Sequence, residues 1–146
     1  FFSSTRRYDG RRYGHKIEEV CGPEVLRRIL GGGEISKAEF AGLYYRNALK
    51  AKELIKKDFE ESFKKVDVII TPTVPRLPHK IGSKITPDEM YTDDALTYPA
   101  NLGEIAAISV PAGEIKGIPV GLQIMVPAFN EKLLFKVAEA FESSKA

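Results

Sequence analysis

The sequence predicts an α/β domain whose sheet is covered by helices on both sides, and three observations carry that reading. Two apolar runs, Ala106 to Ala112 and Ile118 to Val126, flank Gly113-Glu114-Ile115-Lys116-Gly117, a segment with the composition of a hairpin loop. Continuous apolarity in both runs argues that both faces of each strand are covered. A shorter β-branched run, Asp67 to Pro72, ends at a proline and reads as a buried strand. Helix-period segments complete the order helix, long helix, strand, helix, hairpin, helix, which is that of an α/β domain.

Residues 1 to 15 mix Arg, Tyr and Gly at no regular period, so a loop or an extended arm is expected there. Pro23 stands where a first helical residue belongs, and Val25, Leu26, Ile29 and Leu30 form a one-sided apolar stripe. Gly31-Gly32-Gly33 is expected to end this helix; it is not a phosphate loop, because no Lys-Ser/Thr follows it. Arg27 and Arg28 diverge by about 100° on such a helix, so at most one of them is expected to face a given cavity.

Ser36-Lys37-Ala38-Glu39 has the pattern of a capping box, opening an amphipathic helix to about Lys65. Its stripe of Phe40, Leu43, Tyr44, Ala48, Ala51, Leu54, Ile55, Phe59 and Phe63 is expected in the core. Beyond the Asp67 to Pro72 strand, Pro75 and Pro78 make the stretch from Thr73 to Lys84 irregular. Ligand sites of open α/β sheets lie beyond the carboxyl ends of strands, which makes Thr71 and Thr73 hydroxyl candidates for a site wall. Thr86-Pro87-Asp88-Glu89 is a second capping box, beginning a helix through about Thr97 that carries Asp93 and Asp94 and is closed by Pro99. Asn130 is placed to cap a last helix, Glu131 to Glu142, with Leu133, Leu134, Val137, Ala138 and Phe141 inward.

A length of 146 residues with 43% hydrophobic and 29% charged residues is that of one ordinary globular domain. A net charge of +2 gives no case for bulk binding to nucleic acid or membrane, although Arg6, Arg7, Arg11 and Arg12 are close together. One cysteine, Cys21, excludes an internal disulfide and fits a reducing compartment, so the cytoplasm is the default location. Two distant histidines, His15 and His79, cannot make a metal cluster without a further ligand. No run approaches the about 20 apolar residues of a membrane span, and no signal peptide is visible. A start at Phe1-Phe2 in place of Met leads to the expectation that the natural N-terminus lies upstream.

Periodicity and composition alone imply an α/β domain with an acidic and a basic pair near strand ends. The motifs go further. Arg7-Tyr8-Asp9-Gly10-Arg11-Arg12-Tyr13-Gly14, Val25-Leu26-Arg27-Arg28-Ile29-Leu30, Thr71-Pro72-Thr73 and Met90-Tyr91-Thr92-Asp93-Asp94 are followed in order by Pro99-Ala100-Asn101-Leu102, Ile108-Ser109-Val110-Pro111 and Pro119-Val120-Gly121-Leu122-Gln123-Ile124. Together these resemble the C-terminal part of the amidase signature family and, within it, the glutaminase (A) subunits of glutamyl-tRNA(Gln) amidotransferases.

The resemblance implies the C-terminal half of the amidase signature fold, with a mixed sheet. It implies hydrolysis of a glutamine amide through an acyl-enzyme, with the ammonia converting Glu-tRNA(Gln) to Gln-tRNA(Gln). The implied partners are the B and C subunits, free glutamine and tRNA. ATP and Mg would be used by a partner of the complex, with no cofactor in this chain. The family's Ser-Ser-Lys catalytic residues belong to a Gly- and Ser-rich signature that has no match here, so the chain alone is expected to be inactive. By motif position, Arg28 would grip the substrate's α-carboxylate and Asp94 its α-ammonium, with Arg27 and Asp93 as neighbours able to take those roles. Such charge-assisted bonds would fix the amide at the nucleophile. A part of an amidase acting on another amide, or an RNA-binding or assembly module using the Arg and Tyr arm, are the alternatives. An uncovered sheet face and edge would favour oligomerisation or domain swapping.

Overall fold

The computed structural model describes residues 16–40 and 42–145, so the Arg and Tyr arm lies outside the described residues. The chain divides into two compact units, Phe1–Lys50 and Ala51–Ala146. The first holds α1 (Ile17–Val20), α2 (Pro23–Ile35), a 3-10 turn at Ala38–Phe40 and the start of α3 (Leu43–Phe63). Among its described residues, Ile17 and Ile29 are buried. The second holds the rest of α3, then β1 (Ile69–Pro72), α4 (Pro87–Asp93), α5 (Tyr98–Leu102), β2 (Ala106–Ile115), β3 (Ile118–Val126) and α6 (Glu131–Ser143).

The α/β class and the order of elements are those expected, with particular differences. Helix α2 does not stop at the triple glycine but runs through it to Ile35. Glycine costs about 1 kcal/mol against alanine inside a helix, which weakens a helix without ending it. Ser36 is consequently the C-cap of α2 rather than the N-cap of the next helix, and its hydroxyl donates to the Gly32 carbonyl. The long helix begins at Leu43, after the 3-10 turn.

The α3 stripe expected in the core is not buried: no α3 residue is, and Leu54 is 65% exposed. Helical periodicity reports which face seeks apolar cover, not whether the described residues provide it. Phe59 and Phe63 stack on each other with centroids 6.2 Å apart.

The hairpin is tighter than its composition indicated. Strand pairing continues to Ile115 opposite Ile118, leaving Lys116-Gly117 as a two-residue turn with φ of 55° and 76°. Positive φ at both central residues is the type I′ geometry that matches strand twist. Glu114, exposed in the ladder, does not interrupt it, and the register shift falls between Pro111 and Gly113.

The sheet has the order β1-β3-β2 and is antiparallel throughout, where the resemblance implied a mixed sheet. One face packs on α6 through Val110, Ile124, Val126, Leu134 and Ala138, with the expected inward positions Leu133, Val137 and Phe141 around them. Asn130 precedes α6 but makes no side-chain cap. The other face carries Thr71, Ser109 and Gln123, because successive strand residues alternate sides. Strand β2 therefore alternates between covered and exposed positions instead of being covered on both faces. The helix expected from Thr86 to Thr97 is two helices: α4 ends at Asp93, and Pro99 lies in the first turn of α5 instead of closing α4.

Candidate functional site

The Thr86 capping box forms in full. Thr86 N–H donates to Glu89 Oε2 at 2.8 Å, Glu89 N–H donates to Thr86 Oγ1 at 3.3 Å, and Pro87 occupies the first turn. This fixes the start of α4, a helix of seven residues, too short to persist without such anchors. Its far end is held by the proline-containing loop. Arg76 Nε donates to Asp93 Oδ1, Arg76 Nη2 donates to the Glu89 carbonyl at 2.7 Å, and His79 Nε2 donates to Asp93 Oδ2 at 2.9 Å. Partial withdrawal from water pushes the Asp93 carboxyl up, but the hydrogen bonds from Arg76 and His79 outweigh it and hold it below the usual carboxylate range.

Asp94 is the C-cap of α4 and half-buried. Its carbonyl accepts from the Thr97 and Tyr98 amides, both at 3.0 Å, and from Thr97 Oγ1 at 3.1 Å. Among the described residues its carboxylate has no hydrogen-bond or ion-pair partner. The two adjacent aspartates thus differ in kind: Asp93 is held by the loop, and the Asp94 carboxylate has no partner among the described residues.

Next to this junction the polar face of the sheet is organised around Gln123, which is 4% exposed. Its Nε2 donates to Thr71 Oγ1 at 3.1 Å and to the Leu96 carbonyl at 2.8 Å. Thr71 and Ser109 are its cross-strand neighbours on β1 and β2. Thr73 Oγ1 and Ser109 Oγ bond to each other above Gly121, whose carbonyl accepts from Thr73 N–H at 2.9 Å. A hollow of about 300 Å³ lies here, lined by Thr73, Thr97, Asn101, Ser109 and Gln123 among others. The two threonines taken from the sequence as site-wall candidates therefore do stand on a polar wall, Thr71 bound to Gln123 and Thr73 lining the hollow.

In the first unit, Arg27 and Arg28 do not diverge as their positions on the helix implied. Both bond Glu24: Arg27 through Nε and Nη2, each at 2.8 Å, and Arg28 through Nε at 2.6 Å. Long side chains at three and four residues' distance reach back along the helix to one carboxylate. Hydrogen bonds from Arg27 and then Arg28 lower the Glu24 carboxyl to about 2. Arg28 thus lies in the first unit, on a Glu24-anchored pair, and Asp94 in the second, at the end of α4.

Arg76, His79, Glu24 and Ser109 carried no periodic signal that marked them. Gln123 had one: a lone amide inside a nine-residue apolar strand requires partners once buried.

Residues 3–135 match the amidase family. The chain belongs to the amidase family. Its relatives include the A subunit of the glutamyl-tRNA(Gln) amidotransferase of Methanocaldococcus jannaschii, 56% identical over 99% of this chain and 33% of the relative. The corresponding Methanobrevibacter smithii protein is 52% identical over 98% of the chain and 31% of the relative. The chain therefore spans about a third of the length of the curated relatives it matches. Among solved structures, the Thermotoga maritima protein of the same name superposes with a TM-score of 0.69 at 34% identity, covering 96% of this chain and 30% of that one. A bacterial aryl acylamidase of the amidase signature family superposes with a TM-score of 0.74 at 18% identity, over 97% of this chain and 30% of that one, a likeness of fold. Among the described residues of this amidase-family chain, no helix is long and apolar enough to cross a membrane.

Proposed function

We propose that this chain is the substrate-orienting C-terminal part of the glutaminase subunit of a glutamyl-tRNA(Gln) amidotransferase. The observation that carries the reading is its 56% identity, along 99% of its length, to a protein of that name. In this reading a serine of a Ser-Ser-Lys set, supplied by polypeptide outside these residues, attacks the glutamine amide and forms an acyl-enzyme. Water then releases glutamate. The ammonia serves a partner subunit, which uses ATP and Mg to amidate glutamate carried on tRNA(Gln). The B and C subunits are the partners, the cytoplasm is the compartment, and this chain alone is inactive.

The chain's own contribution is orientation. Arg28 takes the α-carboxylate of glutamine and Asp94 the α-ammonium, each through a charge-assisted bond. The state of the two aspartates supports Asp94 over Asp93 for the ammonium, since the Asp93 oxygens are held by Arg76 and His79. The test is glutaminase kinetics and glutamine binding of the full-length protein, assembled with its partners, carrying Arg28→Ala or Asp94→Ala. Loss of a charge-assisted bond, worth about 1.5–3 kcal/mol, predicts a KM for glutamine raised about 10- to 150-fold in each variant. Unchanged KM and glutamine affinity in both would end the assignment.

A further inference from the structure

We propose that Asp93 is a positioning residue, whose latch to Arg76 and His79 aims the Asp94 carboxylate at the substrate ammonium; the proposal rests on the reading of Asp94 given above. Asp94 is the C-cap of a seven-residue helix, so the backbone from which its carboxylate projects is positioned by whatever holds that helix end. Two mounts do so, one on each side of Asp94 in sequence, and both lead back to the sheet.

Behind Asp94, Asp93 accepts from Arg76 and His79, two residues of a loop tied to the sheet where Thr73 N–H donates to the Gly121 carbonyl. Arg76 adds a bond to the Glu89 carbonyl, one turn back on the same helix, so the loop grips α4 at two levels. Ahead of Asp94, Gln123 of the central strand donates to the Leu96 carbonyl at 2.8 Å. The segment that carries Asp94 is short, and its caps alone would leave it free to pivot. With both mounts it is bridged to a three-stranded sheet, which is the rigidity that a charge placed for an amino-acid ammonium requires. The Asp93 carboxylate thus acts through its neighbour and touches no substrate itself.

The experiment uses the full-length protein with its partner subunits and two amide substrates: glutamine, and glutaramate, which is glutamine without the α-amino group. Asp93→Asn and His79→Leu are each expected to raise KM for glutamine about 5- to 20-fold with kcat within twofold, and to leave kcat/KM for glutaramate unchanged. His79→Gln, which keeps a donor for Asp93, is expected to restore most of the loss. Equal losses on both substrates, or no loss on glutamine, would overturn the latch. Asp94→Asn separates the two readings. If it raises KM for glutamine while Asp93→Asn and His79→Leu do not, the latch alone falls; if it leaves KM unchanged, the ammonium site falls and the latch with it.

Discussion

Gln123 Nε2 donates to the Leu96 carbonyl across 2.8 Å, joining the middle of the central strand to the segment between the two short helices. The same nitrogen donates to Thr71 Oγ1, so both amide protons are used. A buried group that loses its partner costs about 1–3 kcal/mol. Gln123→Leu, close in volume, is expected to lower unfolding stability by about that amount, read from the urea midpoint. Gln123→Glu is expected to be worse at neutral pH, because a carboxylate would face the Leu96 carbonyl with no proton to give. Burial raises the pKa of such a carboxyl, so the deficit against the parent should shrink as the pH falls and the acid regains a donor.

How much of this was legible in the sequence follows from which interactions are local. Thr86-Pro87-Asp88-Glu89 forms the capping box its spacing announced, because that motif closes within one helical turn. The α6 stripe packs as its period required. Ser36-Lys37-Ala38-Glu39 has the same pattern but yielded to the continuation of α2 through three glycines, a balance of small energies that residue pattern does not resolve. The candidate aspartates were visible as a pair, but nothing in a one-dimensional pattern tells which is occupied. That depends on Arg76 and His79, 17 and 14 residues away along an irregular loop.

Glu104 binds Lys52 Nζ at 2.5 Å and Lys56 Nζ at 3.0 Å, and hydrogen bonds from those two lysines, Lys52 first, lower its carboxyl to about 2. A carboxyl whose folded pKa is depressed contributes stability that is complete above its ordinary value of 4.5 and is lost as the pH falls from there toward 2. A carboxyl-detected NMR titration of the folded protein is expected to place the Glu104 midpoint near 2. Lys52→Met should move it up toward the ordinary value, and Lys52→Met with Lys56→Met should move it further. A midpoint at the ordinary value in the parent would refute the bridge.

The Lys116-Gly117 turn makes a different demand. Lys116 has φ of 55°, a region that a lysine side chain adopts less readily than asparagine does. Lys116→Asn supplies the first residue that a type I′ turn favours and is expected to stabilise by a few tenths of a kcal/mol, seen as a small rise in Tm. Gly117→Val, forced to φ of 76°, is expected to lose about 1–2 kcal/mol. A five-residue loop with flexible Glu114 and Ile115 would show neither effect, so the pair discriminates between the two hairpin forms.

At Gly121 the backbone lies directly against the hydroxyl pair formed by Thr73 and Ser109. A Cβ there would stand 2.6 Å from Ser109 Oγ, 2.6 Å from Thr73 Oγ1 and 3.2 Å from Thr73 Cβ. Gly121→Ala must therefore part the two hydroxyls and push Thr73 away from the strand, an overpacking expected to cost about 1–3 kcal/mol. Ser109→Ala removes one of the opposing oxygens, so the double variant Gly121→Ala/Ser109→Ala should lose less than the two single losses combined. A double-mutant cycle in urea reads this coupling, which for residues in direct contact amounts to about 0.5–3 kcal/mol. Strict additivity would mean that Thr73 and Ser109 do not meet over Gly121. Under the proposed function, and because Thr73 precedes the loop residues Arg76 and His79 that hold Asp93, Gly121→Ala in the full-length protein is also expected to raise KM for glutamine more than Ser109→Ala does.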